Sequence, residues 1–157
     1  MTKPISNIEA LARLQYICSK SEKCCQDIRD KLRQWGYEGD YEEIVSKLVQ
    51  EQFVDDARFA EAFARDKFKF STWGRNKIRY YLKGKHVAGG HIDSALASIS
   101  EEDYTSTIYR ELEKKAKTIK DKDTSKRKQK LFAFAAQRGY ETDIVYNLVD
   151  SILKEEF

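Results

Sequence analysis

Residues 53–87 read FVDDARFAEAFARDKFKFSTWGRNKIRYYLKGKHV, and the reading of this stretch decides the fold. Its first half is an amphipathic helix opening at Asp55, whose carboxylate can take an orphan amide of the first turn, with Asp56 placed to offset the helix dipole. Val54 and Phe59 stand at the positions N′ and N4, where an apolar contact fixes the entry angle of the chain. Phe59, Phe63 and Phe70 share one face, joined at its edge by Ala60 and Phe68, while Arg58, Glu61, Arg65 and Lys69 form the opposite stripe. Ser71 and Thr72 break this pattern at a Trp73-Gly74 corner. A second helix follows, with Ile78 and Leu82 facing inward at i, i+4.

The same period continues outward in both directions. Ser6 and Glu9 form a capping box that opens a helix running to about Ser19. Ser21 opens another through Ile28 and Leu32, which stops at Gly36, the residue that takes left-handed C-cap geometry most readily. Asp40 caps a third, with Glu43 at the capping-box position and Ile44 and Leu48 inward. Beyond Val87 a helix near Gly90 carries Ile92, Leu96 and Ile99, and Ser100 to Asp103 caps a long one through Ile108, Leu112 and Ala116. The lysine-rich piece from Lys117 to Lys130 reads as the frayed end of that helix plus a loop. Leu131, Phe134 and Ala135 belong to an eighth helix ending at Gly139, and Ile144, Leu148 and Ile152 to a ninth. Pro4 is the only proline, and no segment alternates apolar and polar residues long enough to demand a half-buried strand. The fold class is all-α.

Laid over one another, these helices repeat. With Gly36, His86 and Gly139 as a shared turn position, the residue eight before is Ile28, Ile78 or Leu131, the residue four before is Leu32, Leu82 or Ala135, and the residue after is Tyr37, Val87 or Tyr140. A Ser or Thr lies fifteen before in each copy: Ser21, Ser71 and Thr124. Such spacing marks stacked supersecondary units. It predicts three tandem three-helix repeats stacked into an elongated, curved body, with boundaries at 1–54, 55–99 and 100–157, the second being the basic one.

Composition narrows the function. Among 157 residues 41% are hydrophobic and 35% charged, so the helices must present wide solvated faces. The net charge of +3 is too small to name a partner, but its distribution is uneven. From Arg65 to Lys85, the basic residues Arg65, Lys67, Lys69, Arg75, Lys77, Arg79, Lys83 and Lys85 face a single acid, Asp66. With the helix starting at Thr72, Arg75, Arg79 and Lys83 fall at i, i+4 and i+8, where like charges repel one another, and no acid appears from Lys67 to His91. A merely solvated face would intersperse carboxylates. This helix is therefore expected to offer a basic surface to an anionic partner, since arginine presents a planar fork to phosphate or carboxylate. Of Tyr80 and Tyr81, at least one is expected in the core, while the pair also reads as a stacking platform. The stretch from Arg110 to Lys130 reads as a solvated region.

Little in the chain points to catalysis. His86 and His91 are the only histidines and have no zinc-ligand spacing around them, Cys24 and Cys25 read as buried structural thiols, and the seven glycines are too scattered for a phosphate loop. No catalytic, cofactor-binding or metal site is expected, and no small-molecule substrate. Three cysteines clustered at one end build no disulfide framework, no apolar run reaches membrane-spanning length, and the N-terminus has no signal pattern, so a cytoplasmic protein with no membrane partner is expected.

The run Phe53-Val-Asp-Asp-Ala-Arg-Phe-Ala-Glu-Ala-Phe63-Ala-Arg65, followed by Gly74-Arg-Asn-Lys-Ile78-Arg79-Tyr-Tyr-Leu82-Lys-Gly-Lys85-His86-Val87, closely resembles the central block of the RecX regulatory proteins of bacteria. The outer repeats match through Lys31-Leu32, Gly36-Tyr37 and Arg138-Gly139-Tyr140. The resemblance implies a non-enzymatic modulator of the RecA recombinase, acting in DNA repair, homologous recombination and the SOS response. It would bind the groove of the RecA filament on DNA and modulate strand exchange, ATP hydrolysis and repressor cleavage, with single-stranded or double-stranded DNA as a further partner. It marks Asp55, Asp56, Arg58, Phe59, Phe63, Ile78 and Leu82 as family-motif residues. Arg65, Lys69, Arg75, Lys77, Arg79, Lys83 and Lys85 are the candidates for partner contact. The alternative is a sequence-tolerant DNA-binding helical protein acting through the phosphate backbone. Where the family commonly has glycine in the turn of the middle repeat, this chain has His86.

Overall fold

The computed structural model describes residues 3–155, and among them it shows nine α-helices and no strand. In chain order these are α1 (Asn7–Lys20), α2 (Cys25–Gln34), α3 (Tyr41–Gln50), α4 (Asp56–Ser71), α5 (Arg75–Gly84), α6 (Gly89–Ala97), α7 (Glu101–Thr118), α8 (Thr124–Arg138) and α9 (Thr142–Glu155). Ser6, Asp40, Asp55 and Ser100 accept first-turn amides as their spacing predicts, from Glu9, from Glu42 and Glu43, from Arg58, and from Asp103 respectively.

The repeat is visible in the backbone. Gly36, His86 and Gly139 take φ of 68°, 59° and 88°, so all three copies of the turn pass through the left-handed region. In each copy the next residue donates its amide to the carbonyl five positions back: Tyr37 to Leu32 at 2.9 Å, Val87 to Leu82 at 3.2 Å, Tyr140 to Ala135 at 2.9 Å. The turn residue itself bonds three back, to Arg33, Lys83 and Ala136. This is the Schellman pattern, which satisfies orphan carbonyls at a helix end. The apolar positions defined by the same register, Ile28, Leu32, Ile78, Leu82, Leu131 and Ala135, are all buried.

Several local expectations are corrected. Ser21 does not open α2: Cys24 does, its sulfur accepting the Asp27 amide while the Asp27 carboxylate accepts the Cys24 amide. Likewise α5 begins at Arg75 rather than at Thr72, because Thr72 sits at φ 54° and cannot continue a right-handed helix. The segment from Thr124 to Lys130 is helix, not loop, since Asp123 caps it through the Ser125 amide and the Arg127 guanidinium closes the end of α7 by donating to the carbonyls of Ala116 and Ile119. Phe70 is 74% exposed: Phe68, two residues before it, packs on the buried Tyr104, so the last turn of α4 faces inward through that side. In α9 the fully buried seam is Val145, Val149, Ile152 and Leu153, one residue round from the predicted Ile144 and Leu148.

Two compact units emerge. The first comprises the chain up to Ala62 together with Leu82–Ser94, and the second Phe63–Tyr81 together with the chain from Ala95 onward. In the first, α1, α2 and α3 enclose Ala10, Leu14, Ile28, Leu32, Ile44, Val45 and Leu48, with Val54 closing the cluster. In the second, α7, α8 and α9 pack pairwise around Tyr104, Ile108, Leu112, Leu131 and Val149. Burying one such aliphatic side chain stabilises a unit by about 1.5–3 kcal/mol.

Candidate functional site

The family-motif residues build the entry to α4. Beyond capping the Arg58 amide with Asp55, the chain places the Asp56 carboxylate 2.8 Å from the Cys25 amide, so an acid at the start of α4 satisfies the first free amide of α2. Arg58 pairs with Glu22 at 2.7 Å and donates to the carbonyl of Gln52 at 3.2 Å, tying the segment before α2 to the turn before α4. Phe59 lies beneath, buried with Ala60. Asp55 and Asp56 are thus accounted for as scaffold.

The thiols around this entry are held neutral. Burial pushes Cys24 up to about 12 and Cys25 up to about 11, the Asp56 carboxylate adding to the latter. The ordinary thiol value is 9.0, so above it the unfolded chain releases protons that the folded chain keeps. Stability from these thiols is complete below about pH 9 and falls as pH rises towards the folded values. Alkylation at pH 8.5 should accordingly be at least tenfold slower at Cys24 and Cys25 in the folded chain than after denaturation. Equal rates, read by mass spectrometry of the labelled peptides, would contradict the burial.

The seven predicted contact residues divide between the units. Lys83 and Lys85 belong to the first, and Arg65, Lys69, Arg75, Lys77 and Arg79 to the second. Lys85 is committed within its own unit: its ammonium lies 2.7 Å from Asp27. Burial raises the Asp27 carboxyl, but the Lys85 ammonium and the Cys24 amide outweigh it and hold the group below its usual range. With Lys85 partly exposed, the pair contributes up to about 1 kcal/mol. Lys83 is exposed, as are Lys69 and Arg65, the latter within 4.0 Å of Asp66.

Arg75 is more deeply engaged. Its side chain is only 18% exposed, with the guanidinium 4.0 Å from the Tyr104 ring centroid, 3.0 Å from Glu141, and paired with Glu101. Its backbone amide donates to the Tyr104 hydroxyl at 2.8 Å, and that hydroxyl donates in turn to Glu141. Tyr104 is fully buried, and burial together with the Glu141 carboxylate pushes its phenol above the ordinary range. Burial opposes the charge on Arg75, but the two carboxylates outweigh it and raise the group. The charge of Arg75 is spent inside its own unit.

The α4–α5 corner is clasped beside this network. Gly74 donates to the carbonyl of Arg138 at 2.7 Å and Asn76 to that of Gly139 at 3.0 Å, while the Tyr140 hydroxyl donates to the carbonyl of Thr72 at 2.6 Å. A Cβ on Gly74 would strike the Gly139 carbonyl, and one on Gly139 would strike the backbone of Lys77. The glycines let the two turns approach.

Sequence reasoning missed Lys67 and Trp73. The Lys67 ammonium lies 4.8 Å from the Trp73 ring centroid and that of Lys77 lies 4.6 Å from it, while Tyr81 is 4.8 Å away, centroid to centroid. Neither Tyr80 nor Tyr81 is core: they are 74% and 48% exposed, because the inward face of α5 is already filled by Ile78 and Leu82. The adjacency of Trp73 to two lysines and two tyrosines was the signal in the sequence. Among the described residues, no group of three or more His, Cys, Asp or Glu could hold a metal ion, and no helix is long and apolar enough to cross a membrane.

Comparison with known proteins places this geometry. The family model "RecX, second three-helix domain" matches residues 55–96 and "RecX, third three-helix domain" matches residues 101–149. A regulatory protein RecX of Clostridium botulinum (strain Eklund 17B / Type B) is 34% identical over 161 residues, covering 98% of this chain and 75% of its own length. That of Clostridium perfringens (strain 13 / Type A) is 32% identical over 141 residues, 88% of this chain and 66% of its own, so the chain spans just under two thirds of that relative. Among solved structures, a regulatory protein RecX is similar with a TM-score of 0.80 at 22% identity, covering 91% of this chain and 74% of that one. RecX from Lactobacillus salivarius gives 0.74 at 21%, covering 94% and 97%. At these identities the two structures speak to fold alone. The relatives and the matched domains together settle the family: the chain belongs to the RecX proteins.

Proposed function

We propose that this chain is a non-enzymatic cytoplasmic regulator that binds the groove of the RecA filament on DNA and modulates strand exchange, ATP hydrolysis and repressor cleavage. The observation that carries the reading is family membership, since the relatives are regulatory proteins by name. The charge on α5 supports it. In α2, Asp27 and Asp30 alternate with Arg29, Lys31 and Arg33, whereas α5 has Arg75, Lys77, Arg79 and Lys83 and no acid. Since α2 keeps the same turn and the same buried pair without that excess, the charge of α5 beyond the paired Arg75 supports a partner-facing role. The division at 1–54, 55–99 and 100–157 is part of the proposal, with the middle repeat as the partner-facing module.

Contact is assigned to Arg65, Lys69, Lys77 and the part-buried Arg79 in the second unit and to Lys83 in the first, while Arg75 and Lys85 hold their own units. Added at less than one copy per recombinase protomer, the protein should slow the DNA-dependent ATPase. Arg65→Glu with Lys69→Glu, both exposed and one turn apart on α4, should weaken that inhibition at least tenfold with the circular dichroism unchanged. Full inhibition by the double variant would remove these residues from the site, and no inhibition by the parent protein would refute the regulator reading. Binding that needs no recombinase and falls steeply with salt would instead favour the phosphate-backbone alternative.

A further inference from the structure

The second unit carries a feature that filament binding does not call for. Trp73, Tyr81 and Tyr80 form a run of rings, with centroids 4.8 Å and 5.5 Å apart, that passes from the half-buried corner before α5 out to solvent at Tyr80. Phe63 braces Trp73 edge-on at 6.1 Å, and the ammonium groups of Lys67 and Lys77 lie against Trp73. The inner ring is therefore cation-flanked and braced, Tyr81 is half-exposed against it, and Tyr80 stands edge-on to Tyr81 with most of its surface open to solvent. Beside them a cavity of about 290 Å3 is lined by Asn76, Lys77, Tyr80, Tyr81, Ala136, Gln137 and Gly139, with no carboxylate among them.

Exposing 74% of a tyrosine ring to water forgoes the stabilisation that burial gives, and the fold gains nothing visible from it. We propose that Tyr80 and Tyr81 are a stacking platform for the bases of a single-stranded nucleic acid, with Lys77 and Lys67 beside it for the phosphates. Open aromatic faces next to positive charge are what sequence-tolerant single-strand binding uses, because every base has a π-face and every linkage a charge. A duplex has its base faces occupied by neighbours and fits only the lysines. An acidic protein surface would use the lysines but has no flat group to match two rings. Asn76 and Gln137 add neutral donors and acceptors at the rim, suited to base edges.

The site shares Lys77 with the contact assigned above, but the oligonucleotide part of its test needs no recombinase. Trp35→Phe in the full chain leaves Trp73 as the only tryptophan, so that quenching of its fluorescence reports occupancy of the neighbouring Tyr81. An oligothymidylate of about 16 nucleotides is compared with an abasic deoxyribose-phosphate strand of the same length at low salt. The thymine strand should bind at least tenfold more tightly. Tyr80→Ala, which removes an exposed ring and leaves the core intact, should weaken thymine-strand binding about tenfold without changing abasic-strand binding, and Tyr80→Phe should restore it. Equal affinity for the two strands, or an unchanged affinity in Tyr80→Ala, overturns the proposal. So does a Tyr80→Ala protein that keeps its oligonucleotide affinity but loses inhibition of the recombinase ATPase, since the rings would then be a protein contact.

Discussion

Gly139→Ala should destabilise the protein by at least about 3 kcal/mol, far more than the same change at Gly36. Both glycines sit at positive φ, 88° and 68°, so each substitution incurs the left-handed penalty of about 1 kcal/mol. They differ in what the new methyl group meets. At Gly36 nothing lies within 4 Å, whereas at Gly139 the methyl would overlap the Lys77 amide and Cβ. Backbone cannot rotate away as a flexible side chain can, so relief requires the α8–α9 turn to draw back from the corner before α5, breaking the bonds from Gly74 and Asn76. For a chain of this size the loss corresponds to a fall in Tm of about 6–12 °C. If urea unfolding gave Gly139→Ala and Gly36→Ala the same midpoint, the close approach would be refuted.

Tyr104→Phe should cost about 2–4 kcal/mol although it removes one oxygen and leaves no cavity. That hydroxyl has two jobs: it accepts the Arg75 amide, which no side chain of the Trp73-Gly74 corner caps, and it donates to Glu141. Removing it leaves a part-buried N–H unsatisfied and takes a donor from a carboxylate that also serves the Arg75 guanidinium at 3.0 Å. Glu141→Gln is the informative companion. It keeps an acceptor in place but strips charge, so it should hurt less than Tyr104→Phe if the hydrogen bonds dominate, and more if the ion pair does. A Tyr104→Phe protein as stable as the parent would show that water replaces the hydroxyl and that the network is ornamental to α5.

Much of this architecture was legible from local chemistry. The caps at Ser6, Asp40, Asp55 and Ser100 lie within three residues of the amides they serve, and the apolar pairs Ile28–Leu32 and Ile78–Leu82 are one turn apart, so both kinds of signal fit inside a short window. Cys24 escaped because a thiol is a weak acceptor outside the usual capping set, and Ser21 offered a conventional cap nearby. Arg75 was read as free charge because its partners, Glu101 and Glu141, lie 26 and 66 residues away, and no periodicity reports such a separation. Phe70 misled for the same reason. The last turn of α4 faces inward through Phe68, whose partner Tyr104 is distant in sequence, and the apolar pattern within the helix does not report that partner.

The turn after α5 gives the middle copy the same left-handed bend and the same bond from Val87 to Leu82 with histidine where the outer copies have glycine. What recurs along this chain is therefore a hydrogen-bond grammar rather than a spelling. A search for repeated letters finds two copies and an exception. A search for a left-handed residue followed by an apolar one whose amide reaches back five carbonyls finds all three and also Gln52–Phe53 at the end of α3, so the bond pattern marks helix ends, and only together with the buried pairs eight and four residues before the turn does it mark the repeat.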